Sequence, residues 1–105
     1  MGLEIYWLQL AEDKLDNIYS CYKVKAGKRL AQKLINGIVD TRIDLEKQPE
    51  IGQVVLSLSN RKQKFRYLVF KNHKIVYWIN SDSNRIEISN VFDCRQDPDN
   101  IQETK

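Results

Sequence analysis

Cysteine and histidine are scarce in this chain: Cys21, Cys94 and His73 are all it has of the two residue types. Three such ligands fall short of the four that a structural zinc site usually takes, and neither cysteine sits in a CxxC pair. The thiols read as reduced and partly buried rather than as a disulfide, and no metal or cofactor is implied. No apolar run approaches the ~20 residues of a membrane span. The opening stretch MGLEIYWLQLAED has an early glutamate and no basic leader region, so a signal peptide is not expected and the chain reads as cytoplasmic. Acidic residues are also missing, but only locally. From Ile51 to Ser81 there is no Asp or Glu, while Arg61, Lys62, Lys64, Arg66, Lys71 and Lys74 all fall there. That window carries +6 against −3 for the rest of the chain. Unrelieved positive charge over one region suits phosphate or an acidic partner, although a solvated strand face gives the same pattern.

What is present describes one globular domain spanning residues 1–105, with a short polar tail from about Pro98. Apolar residues make up 42% and charged residues 30%, enough for a single two-layer core and too apolar for a disordered chain. Leu3 to Leu8 alternates as a strand. Ala11, Leu15, Ile18, Tyr19 and Tyr22 then recur at the helical period, which predicts a helix from about Ala11 to Lys25. Gly27 breaks it, and Leu30, Ala31, Leu34, Ile35, Ile38, Thr41 and Leu45 form the stripe of a second helix over Lys28 to Lys47. Gly37 inside that helix marks close packing or a bend. Pro49 ends it, and Gly52 closes a QPEIGQ turn.

Val54, Leu56 and Leu58 alternate with Val55, Ser57 and Ser59, which predicts another strand. KFRYLVF and KIVYWIN follow, separated by Lys71, Asn72 and His73, and read as a hairpin with His73 exposed in its turn. Ser81 to Asn84 makes the next turn, and the last strand runs from Arg85 to Phe92 with Ile86 and Ile88 inward and Glu87 and Ser89 outward. Pro98 prevents further strand. The order β-α-α-β-β-β-β gives an α+β fold, an antiparallel helical hairpin packed on one face of a mainly antiparallel sheet.

Three stretches in this order resemble the RelE/ParE family of toxins from bacterial type II toxin–antitoxin pairs. They are EIYWLQLAEDKLDNIYSCY, LEKQPEIGQ with its Pro-x-x-Gly turn, and FRYLVFKNHKIVYWIN…RIEISNVFDCRQDP with its terminal Arg-x-Asp-Pro. The resemblance covers almost the whole chain. It implies a compact toxin of a plasmid-stabilising module, masked by a cognate antitoxin that folds part of its chain on this domain. RelE-like members cleave mRNA on the ribosome without a metal, and ParE-like members poison DNA gyrase.

Cleavage at a 2′-OH needs a base, an acid and cation density on the phosphate. On the RelE-like reading, Lys74 and Arg95 hold the family positions for catalysis. As target-binding residues on either branch the candidates are Lys62, Lys64, Arg66, Lys74 and Arg95, with a surface charge at Lys74 and a structural ion pair at Arg66 as the plain alternatives. The chain departs from the RelE pattern at its end. Asp93 and Asp97 flank Arg95, carboxylates there lower the potential that RNA phosphate requires, and no histidine lies on the last strand. These departures favour ParE-like inhibition of DNA gyrase over a ribosome-dependent mRNA endonuclease. A non-toxic binding or regulatory member of the family is the remaining alternative.

Overall fold

Gly27 is the pivot of the helical layer. Its φ of 92° is a conformation that side chains rarely adopt, and it serves both helices at once. Its N–H donates to the Lys23 carbonyl (2.9 Å) and its carbonyl accepts from the Ala31 N–H (3.1 Å). The computed structural model describes residues 3–94 together with Ile101 and Thr104. Its elements are β1 (Glu4–Trp7), α1 (Gln9–Ala26), α2 (Lys28–Lys47), β2 (Gln53–Val54), one turn of 3-10 helix (Leu56–Leu58), β3 (Arg66–Phe70), β4 (His73–Asn80) and β5 (Arg85–Asp93). The strands form one sheet in the order β1-β5-β4-β3-β2. Only the β1–β5 pairing is parallel, because the helical hairpin carries the chain from one strand across the sheet.

One side of the sheet takes the helices. Ala31, Leu34, Ile38, Thr41 and Leu45 follow one another at steps of three and four, so they share a face of α2 and are buried. Thr41 is tolerated there because its hydroxyl donates to the Ile38 carbonyl, at 2.6 Å. Leu34, Ile38 and Leu45 pack with Ala11 of α1 against Ile75, Tyr77, Ile86, Ile88 and Val91. Each of the large aliphatic chains contributes about 1.5–3 kcal/mol through burial. Gly37 is a place of close packing, since a Cβ there would fall on the Phe70 ring. Leu30 does not join the stripe and stands half exposed.

The other side of the sheet is covered by the chain itself, which corrects several expectations. Val54 to Ser59 is not a strand: pairing with β3 stops at Val54, and the chain then turns across the outer face. Val55 and Leu58 are buried there with Phe65, Val76 and Phe92, while Leu56 is 80% exposed. Glu87, on the outward side as expected, and Ser89 are buried as well. His73 is the first residue of β4 rather than part of an exposed turn, and it is buried between Phe70 and Asp93 in the register. The two-residue turn is Lys71-Asn72, with Lys71 at φ 55°. Cys21 and Cys94 are free, as expected, but exposed rather than partly buried. No helix among the described residues is long and apolar enough to cross a membrane.

β5 carries one irregularity. Val76 pairs with Asn90 and Tyr77 with Ile88, so Ser89 has no partner across the ladder. Such a bulge reverses the odd–even alternation beyond it. Ile86 and Ile88 face the helices before it and Val91 does so after it. Phe92 consequently faces outward, in the second cluster.

Candidate functional site

The outer face holds a cleft of about 540 Å³. Tyr67 of β3, Lys74 of β4 and Phe92 of β5 lie along it, Gln53 to Ser57 form a wall, and Cys94 and Ile101 complete the lining. The register explains the convergence. Lys74 stands opposite Val69 on one side and Phe92 on the other, and period-two alternation turns its side chain away from the helices. The Lys74 ammonium sits over the Tyr67 ring, 4.6 Å from its centroid. A contact of that kind is worth about 0.5–1 kcal/mol and fixes where the charge stands. Tyr67 is held in turn by donating its hydroxyl to Gln53 Oε1, at 2.8 Å.

The other cations of the acid-free window go elsewhere. Lys62 and Lys64 are exposed on the loop before β3 and do not line the cleft. Arg61 donates to the Thr104 carbonyl and ties the chain end to that loop. Arg66 is a brace for the turn after α2: its Nη1 donates to the carbonyls of Gly52 (2.9 Å) and Glu50 (3.2 Å). Its guanidinium lies 4.0 Å from the exposed Glu50 carboxylate, a pair that contributes little by itself. Lys74 is therefore the one cation of that window brought into the cleft. Arg95 and Asp97 lie outside the described residues. Asp93 sits beyond the bulge on the helix side, where it lines a separate cavity of about 300 Å³ with His73 under α1. The expected effect of Asp93 and Asp97 on the potential around Arg95 falls on residues outside those described.

The turn that sets the cleft wall has its own clamp. Tyr77 donates its hydroxyl to the Pro49 carbonyl (2.8 Å) and accepts from the Gly52 N–H (2.9 Å). Burial pushes the Tyr77 phenol above its ordinary range, so it keeps the proton it donates. Gly52 admits no side chain, because a Cβ would lie 2.6 Å from the Tyr77 oxygen and 2.8 Å from the Tyr67 carbonyl. On the outer face near β1, Glu87 accepts from Asn80 Nδ2 (2.8 Å) and Arg85 Nε (2.9 Å). Burial would raise its carboxyl, but these hydrogen bonds and the guanidinium charge outweigh that and hold it below the usual range. Arg85 also lies 4.3 Å from the Tyr6 ring.

Chemically the cleft offers one ammonium, one phenol and one thiol among apolar walls, with no carboxylate or imidazole in its described lining. No group of three or more His, Cys, Asp and Glu side chains among the described residues is arranged to hold a metal. Of the residues lining the cleft, the sequence reading named Lys74 and did not name Tyr67 or Phe92. Strand parity was the available signal, since Tyr67 and Lys74 alternate with the inward Leu68 and Ile75.

No protein-family model and no curated protein matches the chain. Solved structures do. A chain of the chromosomal ParDE TA system from P. aeruginosa superposes with TM-score 0.71 at 21% identity, covering 88% of this chain and 96% of that one. A chain of the toxin–antitoxin complex RelBE2 from Mycobacterium tuberculosis gives 0.63 at 12% identity, covering 89% and 99%. A mutant of the E. coli toxin RelE in the free state gives 0.65 at 8% identity, covering 99% and 95%. The strand, the two helices and the five-stranded mixed sheet described above thus compose the RelE/ParE-like α+β fold.

Proposed function

We propose that this chain is the toxin of a type II toxin–antitoxin pair, neutralised by a cognate antitoxin, and that its target is DNA gyrase. The observation that carries the choice of target is the make-up of the outer cleft. One ammonium, fixed over a tyrosine ring and bounded by Val54, Val55, Leu56 and Phe92, is suited to gripping a protein surface. Phosphodiester cleavage asks for a base, an acid and several cations around one phosphate. Among the described residues, Lys62, Lys64 and Arg66 do not come to Lys74 to supply that density. Lys74 on this reading is a contact residue, as is Arg95. The similarity to a ParDE chain, the highest TM-score of the three, points the same way without deciding the target.

The RelE-like reading has one observation in its favour, the presence of Lys74 and the Tyr67 phenol side by side in an open cleft. A paired assay separates the readings. Purified protein is added to a gyrase supercoiling reaction and, in parallel, to mRNA on programmed ribosomes. Inhibited supercoiling with intact mRNA is the expected result. Cleavage of A-site mRNA that disappears in Lys74→Ala or Arg95→Ala establishes the nuclease instead. Inactivity in both assays, with no growth arrest on expression, overturns the toxin reading in favour of a non-toxic binding or regulatory role. Co-expression with the product of the neighbouring small gene tests the antitoxin, which is expected to restore growth and co-purify.

A further inference from the structure

The helical hairpin is electrically polarised along its length, and neither the sheet nor the cleft uses this. From Asn17 to Val39 the chain has no Asp or Glu, and Lys23, Lys25, Lys28, Arg29 and Lys33 give that stretch +5. It comprises the second half of α1, Gly27 and the first half of α2, so all five cations share the closed end of the hairpin. The acids of the two helices, Glu12, Asp13, Asp16, Asp40, Asp44 and Glu46, lie toward the opposite end. Each of the five tip cations is exposed, and none is paired with a carboxylate among the described residues.

Apolar side chains stand among these charges. Val24 is 88% exposed and Leu30 50%. Leu30 forms part of a shallow trough on α2, with Lys28, Arg29 and Lys33 around it. The fold does not account for this composition. Lys28 and Arg29 occupy the first turn of α2 with no acid beside them and no side-chain cap, where the helix dipole disfavours cations. Val24 and Leu30 lose the burial their side chains would gain elsewhere.

We propose that the hairpin tip is a docking surface for an acidic amphipathic segment of a partner protein. Its carboxylates meet the tip cations and its apolar face covers Leu30 and Val24. A nucleic-acid backbone satisfies the cations but leaves Val24 and Leu30 in water, and this distinguishes the two partners. The tip shares no lining residue with the outer cleft. The proposal therefore stands apart from the identity of the cleft's target.

The test is fluorescence anisotropy on the full chain with a labelled synthetic helix that carries leucine on one face and glutamate on the other. The pair Lys28→Glu with Arg29→Glu is expected to weaken binding about tenfold or more. Leu30→Ser weakens it about fivefold, and Lys74→Ala leaves it unchanged. All the substituted side chains at the tip are exposed, and circular dichroism verifies that each variant is folded. The proposal fails if charge reversal leaves the affinity intact, or if a peptide of the same composition without an apolar face binds equally well. It fails equally if a DNA duplex displaces the peptide at lower concentration than unlabelled peptide does. Gyrase inhibition by the Lys28→Glu/Arg29→Glu variant, measured alongside, is expected to persist, so failure at the tip and failure at the cleft read out separately.

Discussion

Replacing Tyr77 by Phe removes one oxygen from the clamp that holds the turn after α2, and the cost can be worked from its geometry. The hydroxyl makes two hydrogen bonds, to the Pro49 carbonyl at 2.8 Å and from the Gly52 N–H at 2.9 Å. Each such bond contributes about 0.5–1.5 kcal/mol net. Gly52 is buried, so its N–H loses its acceptor without gaining water, a further penalty of about 1–3 kcal/mol when no rearrangement intervenes. Partial relaxation of the turn brings the expected loss to about 2–4 kcal/mol. With an unfolding entropy of roughly 0.2 kcal/mol/K for a chain of this size, the melting temperature falls by about 9–18 °C. Urea unfolding followed by the fluorescence of Trp7 and Trp78 measures this, with the slope m expected to stay constant. The Arg66→Ala variant loosens the same turn from the other side, and the two changes together should cost less than their sum. A loss below about 0.5 kcal/mol for Tyr77→Phe would show that the turn holds itself, and the clamp argument would be wrong.

Gly52→Ala places a methyl group against the Tyr77 oxygen and the Tyr67 carbonyl, and is expected to cost about 1–3 kcal/mol in the same assay; unchanged stability refutes the close approach. Glu87 has a folded pKa below its ordinary value of 4.5, so its stabilising contribution is complete above that value and is lost as pH falls through the lower, folded one. The stability gap between the native chain and Glu87→Gln should therefore shrink on acidification below about pH 5, and a gap independent of pH contradicts it. Lys74→Glu reverses the one charge of the basic window that enters the cleft; it is expected to abolish gyrase inhibition and growth arrest while changing stability by less than about 1 kcal/mol. Full toxicity in that variant removes the cleft from the mechanism.

The helical layer was legible because its signals are local. A 3.6-residue stripe bounded by Gly27 and Pro49 predicts Lys28 to Lys47, and the helix occupies Lys28–Lys47. Helix α1 begins earlier than its stripe suggests, at Gln9, because Leu8 already has the extended N-cap conformation. The segment after β2 was not legible. Val54, Leu56 and Leu58 alternate as a strand would, yet the buried residues are Val55 and Leu58, three apart, because no partner strand extends beyond Val54. Glu87 and Ser89 on the outward side of β5 are buried too, Glu87 beneath its hydrogen bonds from Asn80 and Arg85. For the site, charge counting found Lys74 but could not separate it from Arg66, whose direction is set by carbonyls fourteen and sixteen residues away. The acid-free stretch at the hairpin tip was as plain in the sequence as the one at Ile51 to Ser81. It escapes a reading that follows apolar periodicity because its charges leave that pattern undisturbed.

The unpaired residue Ser89 acts as a phase shifter at the far end of β5. With perfect alternation, Asp93 would point to the outer face and Cys94 to the helices; with one extra residue, Cys94 reaches the rim of the cleft instead. A single unpaired position thus decides whether a thiol or a carboxylate stands at the rim of the cleft. A register change this late in the strand alters what the cleft rim presents while Ile86 and Ile88 before it keep their packing against the helices.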